Sequence, residues 1–482
     1  MWTQGSDVSN QHSVTCTDCT AVLDKNLESS TYNRRLYPGG RAETSSWCDV
    51  HGNLWMFGGT GYDDLPSEDP RLLNDLWLFN CTDQSWKMVE QETRGANEAH
   101  LLGRDHKKIP KRRRQAASCG VTGLIFVIFG GMDGEGNALS DTWLFDIVVS
   151  KWLPIYSSHH DQNVSVPIRP TARYDMASWC LDDQLVIFGG HGQDSILDDM
   201  WSFSFRSLAW SRVKQFSLAK VVSSDQETLF PSPVVGSSTW TGFNKILLLF
   251  SYDCGNNSST VWEFSLETGN WKMISLTSRP GCHNEGWDGE GHLNARQHSA
   301  AWATPANDIF IFGGQNLHGC SLEVADLEQT SDLLVFNWTS MCWSKITQHL
   351  KEGCEELSQL FSRKSLPSAR EKMTFWQHQQ TLYVFGGVGY DGRGSVGFLN
   401  DLWIGNQKNV SMLLQTTSAK TNKSTLSPPK LFMVVLSVVG GTALLFGSSF
   451  CLRKVNCRRR KRRRKAYDVH YSPLSNEVEF ES

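Results

Sequence analysis

The chain has 482 residues, with 19 Trp, 40 Gly and only 15 Pro, and 40% of it is apolar. That is mass enough for a large core, and the Gly- and Trp-rich, Pro-poor balance favours many short strands joined by tight turns over a disordered chain. The formal charge of −4 is unevenly placed: ten basic and four acidic residues from Arg453 onward make that end +6, leaving −10 for the body and excluding a nucleic-acid-binding composition for it.

In chain order, Met1-Trp2-Thr3-Gln4-Gly5 is polar from the start, and no signal peptide is visible. Cys16 and Cys19 form a Cys-x-x-Cys pair, but no second pair follows at zinc-knuckle spacing and no βαβ context surrounds them. Disulfide halves are expected here rather than metal or redox roles. From Arg41 to Trp86 comes the first organised unit: Trp47-Cys48, then Leu54-Trp55-Met56-Phe57-Gly58-Gly59, then Leu73 to Phe79, then Trp86. These are strand-like apolar runs between Gly- and Asp-rich turns. Such a unit has two apolar faces and cannot bury both alone, so it calls for copies of itself.

The copies follow. Phe129-Gly130-Gly131, Phe188-Gly189-Gly190, Phe312-Gly313-Gly314 and Phe385-Gly386-Gly387 repeat the double glycine, and Asp141-Thr142-Trp143, Asp199-Met200-Trp201 and Asp401-Leu402-Trp403 repeat the third strand. Trp152, Trp210, Trp271 and Trp343 repeat the closing Trp. A degenerate unit has Ser251-Tyr252 after Leu247 to Phe250, yet keeps Trp262 and Trp271, which makes six units in phase.

This pattern resembles the kelch repeat, and it extends to about Trp403. The resemblance implies an all-β fold: a six-bladed β-propeller over residues 1–405. The last unit lacks a closing Trp after Trp403; Trp2 fits that place, so an N-terminal strand is expected to complete the last blade and remove an open edge. A domain that begins so early implies that any secretory leader lies outside this sequence. The Phe57-to-Phe129 and Phe129-to-Phe188 spacings exceed what four short strands need, and the excess belongs to loops, where propellers bind.

Several residues stand out against this frame. With units aligned by their double glycine, Arg41, Arg112, Arg173, Arg296 and Arg370 stand six residues before the Trp, or seven before the equivalent Cys, of the first strand, with Val234 in the degenerate unit. The resemblance implies a partial ring of guanidiniums near one channel mouth. Such a ring either grips an acidic ligand in fork geometry or pairs internally with acids to hold blades together. Cys48, Cys119 and Cys180 align as small core residues of one strand, while Cys282, Cys320, Cys342 and Cys354 suit disulfides around the fifth unit. Arg104 to Arg114 is a basic loop, either solvated or facing an acidic partner. Some kelch-like propellers are enzymes, but His159, His160, His283 and His292 show no recognisable ligand spacing, and no catalytic or phosphate-loop motif occurs. No metal and no cofactor is expected.

Residues 406–430 form a Ser-, Thr-, Lys- and Asn-rich stalk. Residues 431–452 are apolar or small without charge, and at ~1.5 Å per residue are long enough for a transmembrane helix. Arg453-Lys454 and Arg458 to Lys465 place the 453–482 tail in the cytosol and the propeller outside. Asn80, Asn163, Asn256, Asn257, Asn337, Asn409 and Asn422 head glycosylation sequons, all before the apolar segment. Thirteen Cys suit an oxidising compartment. On the tail, Cys451 and Cys457 are palmitoylation candidates, and Tyr471-Ser-Pro-Leu474 resembles a Tyr-x-x-Φ sorting signal read by clathrin adaptors. The sequence thus points to a single-pass type I glycoprotein of the plasma membrane or endosomal system. It is expected to bind a protein or glycan ligand as a receptor or adhesion molecule, without nucleic acid. The alternatives are a membrane-tethered propeller enzyme acting on glycans, or a tail-anchored protein with a cytosolic propeller.

Overall fold

The computed structural model describes residues 2–4, 8–13, 36–65, 68–89, 109–121, 123–155, 169–217, 231, 235–241, 246–253, 258–274, 296–303, 308–316, 328–337, 342–345 and 367–406. Within them the chain forms strands and turns and no helix, and hence no helix long and apolar enough to cross a membrane. The expected span at 431–452, the stalk beyond Asn406 and the tail with Cys451, Cys457, Tyr471 and Leu474 lie outside the described residues, as do Cys16, Cys19, Cys282, Cys320 and Cys354.

The described strands gather into six sheets, each built on four antiparallel strands, with Phe216–Ser217 added parallel to Asn270–Ile274 in the fourth and with two small three-stranded extensions. The second sheet is representative: Ala117–Val121, Ile125–Phe129, Thr142–Asp146 and Lys151–Ile155 pair in sequence order. The second strand of the unit is buried on both faces, which is why it reads as a continuous apolar run: Leu54 to Phe57, Phe126 to Phe129 and Leu185 to Phe188 are all buried. In the sixth sheet, Thr374–His378, Thr381–Phe385 and Leu402–Asn406 are completed by Trp2–Gln4, with Trp2 opposite Trp403. The chain then crosses to the first sheet through Asn10, whose N–H donates to Phe398 O at 2.7 Å, and Ser13, whose N–H donates to Asp63 O at 3.0 Å.

Each sheet packs on the next, and the last on the first. Among the described residues there are six apolar clusters, one between each consecutive pair. Trp47, Phe57, Phe126 and Trp152 join the first two sheets, and Trp86, Met56, Trp376 and Phe385 join the sixth to the first. Trp240, Phe336 and Trp343 bind the fourth sheet to the fifth, although the fourth lacks the double glycine. This is a β-propeller core: apolar on both faces of each sheet, satisfied only by neighbours.

The double glycines have a specific task. Gly130 (φ 66°) and Gly131 (φ 99°) occupy the left-handed region, and a Cβ on Gly130 would stand 2.5 Å from Arg173 O of the next sheet. With no side chain, Gly131 N–H reaches Arg173 O at 2.9 Å. Gly59 donates likewise to Arg113 O, Gly314 to Arg370 O and Gly387 to Arg41 O, so the clamp also runs from the last sheet to the first.

The register corrects one alignment. Phe57, Phe129 and Phe188 pair with Ser45, Ala117 and Ala177. Cys119 therefore matches Trp47 and Trp179, one place before Cys48 and Cys180, and the three cysteines do not share a position. Nor are all three small core residues. Cys119 and Cys180 form a disulfide between adjacent sheets, while Cys48 and Cys81 are free thiols. Burial pushes the Cys48 thiol up to about 12, with Asp49 adding to it.

The disulfide bridges a sequence separation of 61 residues, a loop for which cross-linking is worth ~2–4 kcal/mol. The double variant Cys119→Ser/Cys180→Ser should melt several degrees below the parent in a thermal scan without reductant. Cys48→Ser should stay close to the parent.

Candidate functional site

The aligned arginines are where the propeller's polar chemistry begins. Just before the inner strand of its sheet, each guanidinium turns inward. Arg173 is fully buried; its Nη1 and Nη2 fork onto Asp199 Oδ1 and Oδ2 at 2.6 and 3.1 Å, and Nη1 also donates to Gly189 O at 3.2 Å. Arg41 forks onto Asp75 at 2.7 and 2.8 Å, and Arg370 onto Asp401 at 2.6 and 2.7 Å. The same aspartates, and Asp141 of the second sheet, accept the indole N–H of the Trp two residues on: Trp77, Trp143, Trp201 and Trp403, at 2.7, 2.7, 2.7 and 2.6 Å. This is the physical meaning of Asp-x-Trp in the third strand. Arg296 has the weaker version, with Asp332 at 3.7 Å, and burial pushes its guanidinium down to about 10 against the pull of Asp332.

In the second sheet the paired residue is Arg113, not Arg112. Arg113 forks onto Asp141 at 2.7 Å through both nitrogens and is buried. Arg112 is exposed, donates to Leu72 O at 3.2 Å and borders a shallow cleft with Ser13, Asp63, Asp64 and Asn74. Cys119 holds the place of Trp47 and Trp179, so matching it to Cys48 and Cys180 sets the second unit one residue out of register. Arg41, Arg173, Arg296 and Arg370 are thus committed to acids of their own sheets, and their guanidiniums are turned away from solvent.

Two residues past each arginine lies a set that alignment by residue type does not detect. Glu43, Gln115, Asp175, Gly236, His298 and Lys372 all have φ between 53° and 63°. For the non-glycine members that conformation costs ~1–2 kcal/mol each, and it persists only where the surroundings enforce it. Here a closed relay of backbone bonds does so. Gln115 N–H donates to Glu43 O at 3.0 Å, Asp175 to Gln115 at 3.0 Å, Gly236 to Asp175 at 3.4 Å, His298 to Gly236 at 2.7 Å, Lys372 to His298 at 3.1 Å, and Glu43 to Lys372 at 3.1 Å.

The relay presents different chemistry from each sheet. Glu43 is nearly enclosed and accepts from Lys372 Nζ at 2.8 Å, Arg114 Nη1 at 3.2 Å and Thr60 Oγ1 at 3.0 Å. Burial works to raise its carboxyl, but Lys372 and Arg114 hold it below the usual range. Burial works to lower Lys372, and Glu43 and Glu371 outweigh it, so the ammonium is held above its ordinary value. His298 Nε2 stands 3.0 Å from Asp175 Oδ2, and its Nδ1 3.8 Å from Glu371 Oε2. Nearby, His191 stacks on Tyr174 at 4.9 Å; burial lowers it below an ordinary histidine, against the pull of Asp175. Among the described residues no group of three His, Cys, Asp or Glu is arranged to hold a metal.

Of the sequon residues, Asn80 is partly exposed in a tight turn, its Oδ1 accepting the N–H groups of Thr82 and Asp83 at 2.8 and 3.3 Å. The backbone of Asn337 ends a strand. Asn163, Asn256, Asn257, Asn409 and Asn422 lie outside the described residues.

The similarities to known proteins agree with this architecture. Residues 97–288 match the family model of the KLHDC2/KLHL20/DRC7 Kelch-repeats domain. Acyl-CoA-binding domain-containing protein 4 of Arabidopsis thaliana is 26% identical over 218 residues, 44% of this chain and 29% of that protein. An F-box/kelch-repeat protein of the same plant is 27% identical over 206 residues, covering 42% and 35% respectively. Tip elongation aberrant protein 1 of Schizosaccharomyces pombe is 24% identical over 215 residues, 43% of this chain and 15% of its own length. The chain spans about a third or less of the length of these relatives. The fold, the repeats and the match over residues 97–288 are those of a kelch-repeat β-propeller.

Arg173 and Asp199 give the sharpest test of the fork. Asp199→Ala leaves a buried guanidinium unpaired and should cost ~3–5 kcal/mol in denaturant or thermal unfolding. Burial works to raise the Asp199 carboxyl, yet Arg173 and Trp201 hold it below the usual range. Its contribution is therefore complete above an unfolded carboxylate's ~3.9 and lost as pH falls through the lower folded value. The stability gap between parent and Asp199→Ala should close in that acid window.

Proposed function

We propose that this chain is a six-bladed, membrane-tethered kelch propeller that binds a protein partner outside the cell or in the lumen through one rim. The observation that carries the binding reading is topological. The four main strands of every sheet are antiparallel, with Phe216–Ser217 added as a parallel edge in the fourth, and the inner strand starts at the relay. The connections from second to third strand, and from each sheet to the next, therefore belong to the relay's end of the molecule. The segments that vary most in length, 90–108, 156–168, 218–230, 275–295 and 346–366, are all anchored there. At the other end are tight turns such as Asp49 to Asn53, whose N–H and C=O meet at 3.0 Å. Connecting segments of unlike length and sequence, held at both ends by a rigid frame, are the usual means of recognition. Arg41, Arg113, Arg173, Arg296 and Arg370 do not supply the recognition chemistry of this reading, because each is buried and turned inward.

The membrane reading draws on the 22 uncharged residues at 431–452, the basic flank after them, and sequons confined to the body. The Cys119–Cys180 bridge supports an oxidising compartment for the propeller. In that setting the tail motif at Tyr471 and Leu474 would serve internalisation through a clathrin adaptor, and Cys451 and Cys457 would be acylated beside the bilayer.

Two measurements test the proposal. In cells, with the chain placed behind a secretory leader, glycosidase should increase gel mobility, and a C-terminal tag should be invisible until the cells are permeabilised. Unchanged mobility with a tag visible on intact cells would reverse the orientation. Separately, replacing segments 90–108 and 156–168 with short Gly-Ser linkers should abolish cross-linking of the propeller to its cell-surface partner while leaving the melting temperature within a few degrees. Unchanged cross-linking would move the binding site off this rim.

A further inference from the structure

The first four sheets join their third and fourth strands by the same kind of turn, which gives a comparison within one molecule. In each, the side chain of the first residue accepts an N–H from further round the turn: Asn80 Oδ1 from Thr82 and Asp83, Asp146 Oδ1 from Val148 and Val149, Ser204 Oγ from Ser207, and Ser265 Oγ from Thr268. At the tip the first sheet carries Thr82-Asp83, the third Arg206-Ser207 and the fourth Glu267-Thr268, all residues that water solvates. The second carries Val148-Val149, 71% and 53% exposed.

The valines are not isolated. Ile147 N–H donates to Leu124 O at 2.9 Å, which brings the turn beside the exposed Leu124, between the first and second strands. Next to Leu124, a Cβ on Gly123 would overlap the exposed Val50 of the first sheet. Val50, Leu124, Val148 and Val149 thus form one apolar patch at the end of the propeller opposite the relay. Single exposed apolar residues are ordinary, but a grouped set marks a contact surface. The backbone beneath it is already paired. The N–H groups of Leu124, Ile147, Val148 and Val149 donate to Val121 O, Leu124 O and Asp146 Oδ1. This tip can therefore enter an apolar medium without stranding those donors.

We propose that this patch rests on a lipid surface, with Val148 and Val149 passing between the headgroups. The occupant follows from where the chain leaves the propeller. Leu402–Asn406, the third strand of the sixth sheet, ends opposite the relay, with Asn406 beside Thr381 at the start of the second strand. From there only residues 407–430 lead to the uncharged run at 431–452. Those 24 residues reach at most ~86 Å when fully extended, so a bilayer holding 431–452 is kept at high effective concentration near this end. The inference rests on the membrane reading above, and it leaves the relay end free for the partner.

The test uses the full chain in phosphatidylcholine vesicles that include a phosphatidylcholine with a diazirine in its acyl chain. After irradiation, lipid adducts are mapped by proteolysis and mass spectrometry. Adducts are expected at 431–452 and again at Val148 and Val149, and not at Thr82 and Asp83 in the matching turn of the first sheet. Val148→Thr/Val149→Asp gives the second sheet the residues that the first already carries there. It should reduce adducts at the turn at least ~10-fold, while those at 431–452 persist and the melting temperature stays at the parent's. Adducts at 431–452 with none at the turn overturn the proposal and leave the membrane reading standing. Adducts at neither place remove that reading, and the proposal with it. Equal labelling of the two turns, or of parent and variant, overturns the proposal by showing proximity to lipid without insertion.

Discussion

The structure rests on a closed circuit of main-chain hydrogen bonds. Six residues, one from each sheet, adopt left-handed geometry and donate to one another in turn until Glu43 meets Lys372. A sheet in this arrangement has no stable existence alone, because its two apolar faces need neighbours and its innermost backbone needs a donor on one side and an acceptor on the other. The double-glycine clamps and the arginine forks reinforce the same circuit. Gly131 reaches Arg173 O in the next sheet, while the Arg173 side chain returns to Gly189 O and Asp199 in its own. One residue thus holds the preceding sheet through its carbonyl and its own sheet through its guanidinium.

This economy explains why so much of the architecture was legible in the sequence. The double glycine is obligatory where a backbone must come within reach of its neighbour's carbonyl, and the Trp of Asp-x-Trp is fixed by an N–H that caps the carboxylate of the arginine fork. Both leave residue types that repeat. The pairing of arginine with aspartate was harder to read. The partners are 34, 28, 26 and 31 residues apart in the four strong forks, since a loop of variable length intervenes. The second unit misled for a local reason: Cys119 takes the place of a Trp, so matching cysteines shifted the register by one residue and put Arg112 where Arg113 belongs. The disulfide followed from the same register and was equally hidden.

The relay itself was invisible for the opposite reason. Its backbone repeats but its side chains do not: Glu, Gln, Asp, Gly, His and Lys have no pattern in common. The signal was positional, the second residue after each Arg. This suggests how the propeller separates its tasks. Repeated residues face inward and build the frame, and the unrepeated ones of the relay lie at the end where each sheet connects to the next.

Amide hydrogen exchange at the relay addresses the central claim directly. If the circuit closes the molecule, the amides of Glu43, Gln115, Asp175, His298 and Lys372 should exchange only through global unfolding. Their protection should match that of core strands such as Ile125–Phe129. Protection of Glu43 and Lys372 well below that of the others would mean that the last sheet parts from the first in the native protein, and would contradict a closed propeller.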